Sequence, residues 1–159
     1  KEVKKDFEYI KIEGTVWKYY LGPELHRLNG PAIEDKSNPN HYSYYVNGKP
    51  HRIGGPAVSD KYGKCWCVNG QLHRDNGPAV ENANGGKIWY KDGKRHRLNG
   101  AACKYADGTK CWYIEDVGYT KMEFIRKVSE IQRSQLVTPK KYTIILDGIE
   151  YHADTVTFV

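Results

Sequence analysis

The dipeptide His-Arg stands at His26-Arg27, His51-Arg52, His73-Arg74 and His96-Arg97, at intervals of 25, 22 and 23 residues. Imidazoles can bind a metal or carry a proton, and guanidinium groups can hold an anion. A side chain that recurs once per structural unit does its job once per unit. The histidines His26, His51, His73 and His96 are therefore expected to be structural, packing on a tryptophan and bonding a turn carbonyl. If the units are strands about 4.8 Å apart, equivalent side chains in alternate strands stand about 10 Å apart, too far to share a metal. No catalytic residue, metal or cofactor is expected.

The arginines Arg27, Arg52, Arg74 and Arg97 are expected to form a ladder beside Tyr20, Tyr45, Tyr90 and Tyr113. As architecture these are cation-π contacts and cross-strand pairs with Glu34, Asp60 or Glu81. As a site they form a strip that binds anions, and both readings stay open. Cys65, Cys67, Cys103 and Cys111 make no paired Cys-x-x-Cys knuckles, which speaks against zinc. Cys103 and Cys111 flank the Asp107-Gly108 turn, where oxidation would permit a disulfide; in a reducing compartment they are expected to be buried thiols. Gly85-Gly86 lacks the strand-to-helix setting of a phosphate loop, and no nucleophile elbow or zincin motif is present.

The elements that position these residues are repeated hairpins. Aligned on His-Arg, each unit reads aromatic pair, one residue, Asn/Asp-Gly, two residues, His-Arg, two residues, Gly-Pro-Ala, then a turn. Asn47-Gly48, Asn69-Gly70 and Asp92-Gly93 are type I′ turn signals, since that turn needs positive φ at both central positions. The first copy, Tyr19 to Arg27, keeps the spacing without Asn-Gly. A fifth starts at Cys111-Trp112-Tyr113 and then is expected to stop, with Tyr119-Thr120 in place of His-Arg. Return turns at Asp60 to Gly63, Asn84 to Gly86 and Asp107-Gly108 join the hairpins into an antiparallel meander.

A turn at Asp92-Gly93 sets Lys91 opposite Lys94, Tyr90 opposite Arg95 and Trp89 opposite His96. Trp66, Trp89 and Trp112 are thus expected on the histidine face, with the tyrosines and arginines on the other. Counting on by twos adds Leu98, Gly100 and Ala102 to the tryptophan face, subject to a bulge at Gly-Pro-Ala.

This pattern resembles the MORN repeat, a hairpin unit of roughly 23 residues. The likeness covers about Trp17 to Tyr113 and rests on the period, the aromatic strand and Asn/Asp-Gly-x-x-His at Asn47 to His51, Asn69 to His73 and Asp92 to His96. Arg follows His where that family has Gly, and Gly-Pro-Ala follows at 30–32, 55–57 and 77–79, as in the divergent branch of bacteria and large bacteriophages. The resemblance implies a scaffold or binding module for proteins or acidic lipids, and binding in place of catalysis.

The fold expected is mainly β: an elongated meander of MORN-like hairpins, then one α-helix and a C-terminal hairpin. Residues 1–16 form an N-terminal strand or extension, 17–119 the array, 120–133 a capping helix, 134–141 a linker and 142–159 the hairpin. Thr120-Lys121-Met122-Glu123 is a capping box ahead of apolar residues at helical spacing, and Asp147-Gly148 turns the last hairpin. Thirteen Tyr and four Trp against three Phe and one Met suit a thin sheet with half-wet faces. No bilayer-length apolar run occurs and residues 1–10 lack a leader's apolar stretch, so a cytoplasmic protein is expected, in the host if phage-encoded.

The function expected is a non-catalytic protein-binding module, an interaction or inhibitor protein of a phage or bacterium. The net charge of +6 keeps nucleic acid open as a partner through the Tyr/Arg face, and an acidic lipid surface less so. An enzyme with a site between sheet and helix is the remaining alternative, and the C-terminal hairpin could support oligomerisation.

Overall fold

The computed structural model describes residues 6–136, 142–146 and 149–153, with side chains described through residue 135. The expected Asp147-Gly148 turn, most of the linker and the chain beyond Ala153 lie outside those residues. Two units form, Lys1–Thr120 and Lys121–Val159. The second holds a helix, Lys121–Leu136, which runs three residues past the expected end, and an antiparallel pair, Tyr142–Leu146 with Ile149–Ala153.

The first unit is mainly β, as its turn chemistry predicts. One long open sheet takes its strands in chain order from Tyr9–Glu13 to Val117–Tyr119, every pairing antiparallel. Its N-terminal strand pairs with Val16–Leu21 across a turn at Gly14 (φ 60°). Short hairpins branch from the sheet: Tyr45–Val46 with Lys49–Pro50, Cys67–Val68 with Gln71–Leu72, and Tyr90–Lys91 with Lys94–Arg95. The branch point is the first aromatic residue of each unit. The N–H groups of Tyr44, Trp66 and Trp89 donate to the carbonyls of Ala57, Ala79 and Ala102, while their carbonyls accept from His51, His73 and His96. One residue thus belongs to the sheet through its N–H and to the hairpin through its carbonyl.

The turns take the conformations that their residues favour. Asn47, Asn69 and Asp92 have φ of 49°, 51° and 51°, each followed by a glycine at positive φ. In the first copy Gly22 (φ 57°) precedes Pro23, the order suited to a type II′ turn. The fifth hairpin is complete: Lys110–Ile114 pairs with Val117–Tyr119 around Glu115 and Asp116, both at positive φ without a glycine. Asp60 does not pair with an arginine; its carboxylate accepts from Tyr62 and Gly63 and closes a return turn.

The core is thin and repeats with the chain. Ala32, Ala57, Ala79 and Ala102 are wholly buried, one per unit, each with its carbonyl accepting the N–H of the branching aromatic. Cys67, Cys103 and Ile114 add to it.

Candidate functional site

Each histidine is fastened to the unit that follows it. Nδ1 of His51 accepts the backbone N–H of Asn69 at 3.0 Å, and Nδ1 of His26 and His73 stands 3.1 and 3.2 Å from the backbone N of Asn47 and Asp92 and 2.8 Å from the side-chain Oδ1 of the same residues. The partner is a turn amide of the next hairpin, where a turn carbonyl was expected. His73 also lies between the carboxylates of Asp92 and Asp75, at 2.8 and 3.2 Å. At the end of the series His96 Nδ1 comes within 2.7 Å of Glu115 Oε1, off the line of a hydrogen bond. Backbone bonds run alongside, from Gly48, Gly70 and Gly93 to Leu25, Pro50 and Leu72. Among the described residues, no three His, Cys, Asp or Glu side chains gather as a metal site would require.

The arginines form a ladder, but over a different row of rings. The guanidinium carbons of Arg27, Arg52, Arg74 and Arg97 sit 3.9, 4.1, 3.8 and 3.9 Å from the ring centroids of Tyr19, Tyr44, Trp66 and Trp89. Arginine and the branching aromatic therefore share a face, and the alternation that separated them fails. The reason is local: after each histidine the chain leaves strand geometry, so counting by twos stops at His and the arginine folds back over the sheet. Tyr20 stacks on Tyr9 and Tyr113 lies beneath Arg95, while Tyr90 pairs in register with Arg95. Tyr45, Tyr90 and Tyr113 meet the ladder through their carbonyls, which accept from the N–H groups of Arg27, Arg74 and Arg97. Trp112 pairs in register with Tyr119, at the place His takes in the other units.

Each stack is closed from above. Nη1 of Arg27, Arg52 and Arg74 donates to the carbonyls of Pro31, Pro56 and Pro78, and that of Arg97 to Ala101, at 3.0 to 3.2 Å. The preceding glycine makes room, since a Cβ on Gly55 would stand 2.9 Å from Arg52 Cζ. His-Arg-x-x-Gly-Pro-Ala is thus one device: the arginine lies between an aromatic ring and a glycine-proline backbone. Glu34 and Glu81 complete the first and third copies, 3.1 and 2.8 Å from Arg27 and Arg74. Partial burial pushes the Glu34 carboxyl up, but Lys36, Tyr19 and Arg27 together hold it below the usual range. Burial, then the bond to Glu34, pushes the Tyr19 phenol up.

Between the ladder and the hairpins runs a groove of two adjoining depressions, about 460 and 610 Å³, which share Arg74, Asp75 and Asn76. Ile53, Trp66 and His73 line the first; Trp89, His96, Leu98 and Asn99 line the second. Ile53 is 73% exposed, and the equivalent Leu28 and Leu98 are 42% and 36% exposed. This row escaped the reading of the sequence. Its signal is the position after each arginine, apolar in the first, second and fourth copies and Asp75 in the third.

Cys103 and Cys111 are direct cross-strand partners, and all four thiols are free. No described helix is long and apolar enough to cross a membrane. No family model matches the chain, and neither a curated protein nor a solved structure matches it.

Proposed function

We propose that the array is a non-catalytic protein-binding module that receives an extended segment of its partner in the groove along the His-Arg blocks. The observation that carries this reading is Ile53, a large aliphatic side chain 73% exposed at the wall of one depression, with Leu98, two repeats on, at the wall of the adjoining one and Asp75 shared between them. Two apolar side chains two repeats apart, with Asp75 and Asn76 between them and Asn99 beside Leu98, offer both apolar and hydrogen-bonding contacts to a peptide. The resemblance to MORN repeats supports the same reading, whose concrete form is a cytoplasmic interaction or inhibitor protein of a bacterium or bacteriophage. The arginine ladder supports nucleic-acid binding less well, because its guanidinium groups are already stacked and bonded within the chain.

The test is capture from nuclease-treated lysate with the wild-type chain and with Ile53→Asp and Leu98→Asp. Specific partners retained by wild type and lost with both variants at unchanged melting temperature support the groove. Partners kept by both variants, or lost on nuclease treatment, overturn it.

A further inference from the structure

Directly paired residues of an antiparallel sheet point to one face. Along the C-terminal half of the long sheet the pairings Lys64↔Glu81, Glu81↔Lys87, Lys87↔Lys104 and Lys104↔Lys110 place four lysines and one glutamate in a single row across five consecutive strands. Strands about 4.8 Å apart make this a comb roughly 19 Å long. All four lysines are exposed, and among the described residues none meets a carboxylate. Glu81, the acid within the row, is taken by Arg74 at 2.8 Å. Lys87, Lys104 and Lys110 stand directly opposite one another, an arrangement of like charge that destabilises a sheet. The same row in the N-terminal half is Glu34, Tyr42 and Ser59, so the charge is confined to one end.

We propose that this lysine comb docks an acidic segment of a partner protein, a proposal that rests on the protein-binding reading and supplies the partner's chemistry. Lys104 Nζ lies 5.5 Å from the Trp89 ring, which also lines the larger depression, so comb and groove adjoin. Carboxylates are the fitting complement. Bases need an open aromatic face to stack on, and the rings beside the comb, Trp66 and Trp89, are covered by Arg74 and Arg97.

Fluorescence anisotropy tests this with a labelled poly-glutamate peptide, a labelled oligothymidylate of equal charge and vesicles containing phosphatidylserine. The full chain is compared with K87E/K104E/K110E and with the charge-matched helix variant K121E/R126E/K127E. Wild type binds poly-glutamate at low salt. The comb variant loses at least about tenfold in affinity, the sum expected of three exposed ion pairs, while the helix variant does not. Equal loss in the helix variant, tighter binding of oligothymidylate or vesicles through the comb, or no binding of poly-glutamate overturns the acidic-protein assignment. Failure of the groove alone leaves this result intact and shows only in the lysate capture with Ile53→Asp and Leu98→Asp.

Discussion

Nδ1 of His51 accepts the backbone N–H of Asn69 at 3.0 Å, so the imidazole of one unit fastens the turn of the next. Because a ring nitrogen that accepts carries no proton, the bond fixes which nitrogen of His51 is bare.

Replacing His51 by Ala leaves the Asn69 amide to water and removes an inter-unit bond. The expected loss is about 1 kcal/mol, the net value of one hydrogen bond at a solvent-facing site. It is read as a lower urea midpoint with unchanged slope. An unchanged midpoint means that the histidine is not the fastening.

Gly55 and Arg52 should be energetically coupled. Gly55→Ala puts a methyl group 2.9 Å from Arg52 Cζ without straining the backbone, because Gly55 is not at positive φ. The flexible guanidinium moves, and the contact with Tyr44 goes with it, at a cost of about 1 kcal/mol. In the Arg52→Ala background the same substitution costs little. A double-mutant cycle measures the difference, and additivity would show that the glycine serves some other purpose.

Glu115 holds φ at 51° in the fifth turn, where three earlier units have Asn or Asp. Asn adopts this region more readily than Glu, so Glu115→Asn is expected to raise stability by roughly 0.5–1 kcal/mol. Calorimetry should show a higher melting temperature. A fall would mean that the contact of Glu115 with His96 outweighs the backbone strain.

Burial pushes the Cys67 thiol up to about 11, from an ordinary 9.0, with nearby Cys65 adding to it. Burial raises the Cys65 and Cys103 thiols as well. In the folded chain these thiols keep protons that the unfolded chain would release, so their contribution is full below about pH 9 and is lost as pH rises toward 11. Cys67 should carry about a hundredfold less thiolate than a free cysteine at pH 8, and alkylate correspondingly slowly. Rapid labelling of Cys67 in the folded chain would contradict its burial.

The hairpins were legible because period, turn type and register are local properties. Asp92-Gly93 alone fixes Tyr90 opposite Arg95 and Lys91 opposite Lys94, as observed. The arginine ladder was legible as a ladder but not as to its rings, since alternation holds only inside strands and His-Arg-x-x-Gly is not one. The fifth hairpin was hidden because Glu115-Asp116 lacks the Asn-Gly or Asp-Gly pair that marks the turns before it. Ile53 and Leu98 stood out only once a groove existed for them to line. The lysine comb needed the register of five strands, which no single stretch of chain contains.

The histidine fastenings run one way along the chain. The first three units reach forward to their successors through a turn amide and the fourth through the contact of His96 with Glu115, whereas the fifth has Tyr119 in the histidine's place. The array therefore has a built-in direction of growth and a built-in stop. As the polypeptide leaves the ribosome, each finished unit already presents the acceptor on which the next turn can settle, so assembly can keep pace with synthesis from first unit to last.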